Sequence, residues 1–171
     1  LPTLKWPDME KTLFLSIAAG VSVQTISHLL KSQIAAAKVI RTMPNLASSV
    51  KQSMTLLCKN EKIEQKDKEI AQRLFKAAGE VVWAKDEDQL DRLMGVSGCG
   101  PAYLFLLVEA MQVAALKEGA STEEARLLAE TTIIGAAAHL QQDNRTAEIL
   151  RTAVTSPGGT TAAALQVLDD K

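Results

Sequence analysis

A chain of 171 residues that is 47% hydrophobic can bury a sizeable core in one or two domains, and its low aromatic content (4%) with abundant alanine suits closely packed helices. The net charge of −1, without a basic patch, argues against nucleic acid and anionic membrane as partners. The two cysteines, Cys58 and Cys99, are far apart, make no disulfide framework, fit a reducing cytoplasm and are expected to be buried thiols.

Leu13 to Val23 has the apolarity of a signal-peptide core, but Asp8 and Glu10 precede it. Thr12 to Ala18 instead predicts a short, continuously apolar strand, which Gly20 ends. Ser22 can cap a helix from Val23 to about Lys31, and Lys38 to Thr42 predicts the next strand. A β-α-β unit of this kind implies parallel strands joined by a right-handed crossover. Such strands are normally covered on both faces. The amino-terminal third is therefore expected to be the second half of a larger α/β domain. Met54 to Cys58 and Glu80 to Ala84 predict further strands. Between them lies a charged helix, Glu61 to Ala78, with Ile63, Ile70, Leu74 and Ala78 as its apolar positions, Gly79 as its stop and a solvated charged face.

Beyond Asp86 the pattern is helical. Asp88 to Met94 predicts a short helix, and the acidic group Asp86, Glu87, Asp88 and Asp91 reads as its solvated start. Pro101 opens the next helix and Gly119 ends it. Its apolar run, Ala102 to Leu116, contains Glu109 and Gln112 and falls short of the ~20 residues that span a bilayer, so a buried helix is expected. Ser121 and Glu124 form a capping box for Thr122 to Gln142, with Ala125, Leu128, Ala129, Thr132, Ile133, Ala136 and Leu140 on one side. Ala147 to Ala153 and Thr160 to Leu168 complete the pattern.

Three motifs carry chemistry. Arg41-Thr42-Met43-Pro44-Asn45 stands at the carboxyl end of a predicted parallel strand, where ligands bind in open α/β sheets; Asn45 can offer an amide there, or simply begin a loop. Ser97-Gly98-Cys99-Gly100-Pro101-Ala102-Tyr103 is a glycine turn into a helix, which alone reads more readily as a tight helix-to-helix corner than as a site. Ser156-Pro157-Gly158-Gly159-Thr160-Thr161 is a rigid turn that ends at a helix start. Unpaired N–H groups and partial positive charge make such a start a site for a carboxylate or phosphate, or merely a capped helix. Neither glycine turn is a G-x-G-x-x-G or Walker loop. His28 and His139 have no acidic or thiol partner at ligand spacing, and no metal site is expected. The helices Pro101–Leu116 and Thr122–Gln142 are apolar over more than one face, so a symmetric dimer is expected to bury them and to complete the substrate site.

With these motifs in order, together with Leu15-Ser16-Ile17-Ala18-Ala19-Gly20-Val21-Ser22, the chain resembles pyrroline-5-carboxylate reductase over essentially its whole length. The resemblance implies α/β followed by all-α: a partial Rossmann-type parallel sheet over residues 1–86, then a helical dimerisation and substrate-binding domain over 87–171. It implies reduction of the imine of pyrroline-5-carboxylate to L-proline by NADPH or NADH, in a cytoplasmic homodimer or higher homo-oligomer. Ser156, Gly158, Gly159, Thr160 and Thr161 would bind the substrate, with Thr161 placed to hydrogen-bond the ring nitrogen as the catalytic residue. As cofactor-binding residues, Ser97, Gly98, Gly100 and Pro101 would line the nicotinamide end of the pocket, and Asn45 would sit near the cofactor cleft. The chain departs from the family pattern at Leu46, where Thr is common, at Cys99, where a small hydroxyl residue is usual, and in lacking the glycine-rich phosphate loop. It is therefore expected to be part of a longer enzyme. The alternatives are a non-catalytic dimerisation module, which would not need the anion-binding turn, and a reductase of another small imino or keto acid.

Overall fold

The computed structural model describes residues 11–32 and 34–169, in two compact units that divide within one helix, between Phe105 and Leu106. Asp8 and Glu10 lie outside the described residues.

The first unit carries a four-stranded sheet in the order β1 (Leu13–Ser16), β2 (Lys38–Met43), β3 (Ser53–Lys59), β4 (Gly79–Trp83). Strands β1 and β2 are parallel, with Leu15 opposite Ile40, as the β-α-β pattern requires. The sheet is not parallel throughout, however: β2 and β3 run antiparallel, and β3 and β4 are parallel again. Chain length explains the reversal. A parallel crossover needs a dozen or more residues, and the link from Met43 to Ser53 holds only a 3-10 helix, Leu46–Val50. Gly79 is the first residue of β4 at φ 145°, a conformation that suits glycine, and its Cα lies against the Ser53 backbone.

Strand alternation sends side chains to two faces, and helices cover both. Helix α2 (Gln65–Lys76) covers the face with Ile40, Leu57, Val81 and Trp83, burying Ala71 among them. Helices α1 (Val23–Leu30) and α3 (Glu87–Ser97) cover the other. Val23, Ile26 and Leu30 pack with Val39, while Leu90 packs with Leu56, Cys58 and Ala84. Ser22 caps α1 through a 2.9 Å bond accepted from the Thr25 N–H.

Helix α2 begins later than its apolar pattern predicts and turns a different side inward. Ile70 and Leu74 are exposed, whereas Asp67 and Ala71 are buried. Asp67 sits inside because it accepts 2.8 Å from Lys38 Nζ and 3.0 Å from the Glu64 N–H, closing a capping box. Burial alone would raise its pKa, but the Lys38 bond and the Glu64 amide outweigh it and lower the value. The charged face of α2 is thus not wholly solvated.

The second unit holds most of α4 (Gly100–Lys117), then α5 (Thr122–Gln142), α6 (Ala147–Ala153) and α7 (Thr160–Asp169). The Ser121–Glu124 capping box is present, and Gly119 takes φ 93° beyond α4. The expected burial of Ala102 to Leu116 is not met within this chain: α4 has no buried residue. Leu104, Phe105 and Leu106 are all more than half exposed. Of the predicted inner side of α5, only Ala125 and Ala129 are buried, and Leu128 and Leu140 are open. A helix apolar all round has no side suited to water. By length and composition alone, the helical run Glu87–Lys117 would suffice to cross a membrane.

Candidate functional site

In the first unit the carboxyl end of β2 and the turn after α3 come together. Thr42, buried on β2, donates 3.0 Å to the Ser16 carbonyl and ties the ends of the two parallel strands. Two residues past β2, Asn45 accepts 3.2 Å from the Ala47 N–H through Oδ1 and donates 2.9 Å to the Ser97 carbonyl through Nδ2. Asn45 and Ser97 are therefore neighbours although 52 residues apart in sequence. The Ser97–Pro101 turn continues α3: the Gly98 and Cys99 N–H groups both donate to the Met94 carbonyl, at 2.9 and 3.0 Å. A Cβ on Gly98 would meet Met94, whereas the space beside Gly100 is open. Pro101 lies in the first turn of α4, and Tyr103 donates 2.9 Å back to the Gly95 carbonyl.

Cys58 is buried as expected, and burial, aided by Glu87, pushes its thiol pKa up. Cys99 is exposed, contrary to expectation, because it sits on the outside of the turn ahead of α4.

Sequence reasoning named Arg41 within the strand-end motif but missed its ion pairs. Its side chain is 4% exposed on the α1–α3 face of β2. Nη1 donates 3.1 Å to Glu87 and Nη2 donates 2.8 Å to Asp91. Burial disfavours the charged guanidinium, but the bonds to Asp91 and Glu87 overcome this and raise its pKa. Glu87 Oε1 also accepts 2.9 Å from the Val23 N–H at the start of α1. The acidic group around Asp86 is thus not merely a solvated helix start: Asp86 caps α3, and Glu87 and Asp91 join α1, β2 and α3. The legible signal was an arginine next to Ile40 in the middle of a predicted interior strand, where a buried guanidinium requires a carboxylate facing it.

In the second unit, the Ser156–Gly159 segment forms a turn closed by a 3.0 Å bond from the Gly159 N–H to the Ser156 carbonyl. Pro157 at its second position and Gly158 at φ 68° at its third give the pattern of a type II turn. The first bond of α7 runs from the Ala163 N–H to the Gly159 carbonyl at 3.2 Å. The N–H groups of Thr160, Thr161 and Ala162 precede it and point out of the helix start. Ser156, Thr160 and Thr161 are exposed beside them. A carboxylate placed there would meet several donors and the positive end of the helix.

Neither histidine is part of a metal cluster among the described residues. His139 does have an acidic neighbour, Asp143, at 3.6 Å, and Arg145 holds that carboxylate at 2.7 Å. A cavity of about 570 Å³ opens beside α1 and the end of β3, lined by Val23, Ser27, Lys31, Asn60 and Lys85, but none of the sequence-nominated site residues lines it.

Residues 87–171 match the family model described as pyrroline-5-carboxylate reductase dimerisation. The pyrroline-5-carboxylate reductase of Haemophilus influenzae is 38% identical over 163 residues, 95% of this chain and 59% of the relative. That of Mycobacterium tuberculosis is 40% identical over 179 residues, again 95% and 59%. The chain thus spans about three fifths of the length of the curated relatives it matches. Among solved structures, a pyrroline-5-carboxylate reductase from Coxiella burnetii superposes with a TM-score of 0.86 at 40% identity, covering 95% of this chain and 60% of the other. The Plasmodium falciparum enzyme, solved with NADP bound, superposes at 0.81 with 29% identity, covering 96% and 64%.

Proposed function

Since the chain belongs to the pyrroline-5-carboxylate reductase family, we propose that it is part of a cytoplasmic enzyme that reduces 1-pyrroline-5-carboxylate to L-proline with NADPH or NADH. The observation that carries this reading is the Ser156–Gly159 turn, which leaves the first amides of α7 without helical acceptors. In this reading the substrate's carboxylate lies on the free amides of Thr160 and Thr161, in the space that Gly158 and Gly159 leave beside them, with the Ser156 hydroxyl as a further donor. The Thr161 hydroxyl hydrogen-bonds the ring nitrogen and orients the imine.

The residues of the first unit fit the flat end of a dinucleotide. The space beside Gly100 is open, Gly98 and Cys99 are exposed, and the turn stands by the carboxyl end of β2. Asn45, Ser97, Gly98, Gly100 and Pro101 form this nicotinamide-side group. The cofactor, when bound, supplies the hydride that the imine carbon accepts. The nitrogen takes a proton, and Thr161 holds that nitrogen in hydrogen-bonding distance as its charge changes. The cofactor's phosphates require a glycine-rich loop that these residues do not include.

In the same reading, residues 1–86 are the dinucleotide-binding portion and residues 87–171 the dimerisation and substrate-binding portion. The open apolar surfaces of α4 and α5 are covered by a second copy of the chain. The test pairs intact mass of the purified protein with NADPH absorbance in the presence of pyrroline-5-carboxylate. A mass above that of 171 residues with turnover supports a reductase. A mass equal to this chain without turnover supports a dimerisation module alone.

A further inference from the structure

Asn45 uses its side chain on two sides at once. Oδ1 takes the Ala47 N–H and caps the 3-10 helix, while Nδ2 gives a hydrogen to the Ser97 carbonyl. Only one orientation of the amide satisfies both partners, since one is a donor and the other an acceptor. The Asn45 N–H itself donates 3.3 Å to Ser53 Oγ, and its carbonyl accepts from Ser48, so the residue is fixed by its backbone as well. Ser97 is the last residue of α3, where helix carbonyls have no partner within the helix. A side chain anchored at the end of β2 therefore supplies a bond that the end of α3 cannot make for itself. It does so at the first residue of the glycine turn.

We infer that Asn45 is a positioning residue for hydride transfer, acting through the Ser97 carbonyl to hold the Ser97–Pro101 turn against the end of β2. This rests on the reading that the turn takes the nicotinamide end of the cofactor. Within that group Asn45 acts through its bond to the Ser97 carbonyl. The position needs an acceptor and a donor together. Asp supplies only the acceptor, and Ser is a good cap but too short to reach Ser97.

The experiment compares Asn45→Asp and Asn45→Ser with wild type in the complete enzyme. Asn45→Ser serves where the added charge of the other variant prevents folding. Amide hydrogen exchange at Gly98 and Cys99, whose N–H groups bond the Met94 carbonyl, is expected to rise about tenfold, with Ser48 and Lys51 unchanged because the cap survives. With pyrroline-5-carboxylate and NADPH, kcat is expected to fall about tenfold, from misplacement of the reacting groups. KM for NADPH is expected to stay within about twofold. Unchanged exchange at the turn, or a raised KM for NADPH with kcat preserved, overturns the inference while leaving the reductase reading standing. Absence of turnover in the wild-type enzyme overturns the reductase reading itself.

Discussion

Truncation of Glu87 should destabilise the first unit far more than truncation of Asp91, although both carboxylates meet the same arginine. The guanidinium of Arg41 is 4% exposed, and the side chains of Glu87 and Asp91 are 24% and 54% exposed. Glu87→Ala removes two bonds from one oxygen: that from Arg41 Nη1 and that from the Val23 N–H, which fastens α1. A hydrogen bond to a charged group contributes roughly 1.5–3 kcal/mol, so the loss is about 3 kcal/mol or more. Asp91→Ala removes one half-solvated partner and should cost about 1 kcal/mol. Glu87→Gln keeps a neutral acceptor and should fall between them, at about 2 kcal/mol. For a chain of this size each kcal/mol moves the melting temperature by about 2–4 °C, so Glu87→Ala should melt roughly 6–12 °C below wild type. Thermal unfolding followed by far-ultraviolet circular dichroism reads the difference. If Asp91→Ala proves as damaging as Glu87→Ala, Glu87 is not the junction of α1, β2 and α3, and the reasoning fails.

Gly79→Ala should destabilise by about 3 kcal/mol or more, because a Cβ there overlaps the Ser53 backbone and φ is 145°; denaturant titration would show a midpoint shift, and an unshifted midpoint would contradict the packing described. Asp143, held by Arg145, has its pKa lowered from 3.8 to about 2. Its contribution is therefore fully present above 3.8 and lost as pH falls through about 2. The stability gap between wild type and Asp143→Asn should close over that interval on acid titration, and a gap constant with pH would argue against the ion pair. Thr161→Val in the complete enzyme should lower kcat by about tenfold or more while leaving the melting temperature near wild type, since Thr161 is exposed. Unaltered kinetics would remove Thr161 from the proton step.

Local signals were readable in the sequence, and long-range pairings were not. Strands β1 to β4 are short apolar runs, and the Ser22 and Ser121 caps depend on residues three positions away, so both appear in a sequence window. The parallel pairing of β1 with β2 follows from the helix between them. The antiparallel step to β3 was available in principle from the short Met43–Ser53 link, but the strands alone do not declare direction. The burial of Arg41 and Asp67 was hidden for a different reason. A charge looks solvated until its partner is known, and those partners stand 46 and 50 residues from Arg41 and 29 from Asp67. For the site, the glycine turns stood out through Pro and Gly, which constrain the backbone wherever they occur. The Asn45–Ser97 bond needed the fold.

The bare flanks of α4 and α5 bear on the fate of a newly made chain in the cell. A lone subunit would present Leu104, Phe105, Leu106 and Leu128 to its surroundings much as an unfolded polypeptide does. If a second copy covers them, as proposed, chaperones and proteases that survey for such surface would compete with it for the same residues. Abundance would then be governed by how soon a subunit finds its mate, and a substitution on these flanks could deplete the protein without altering a single residue of its chemistry.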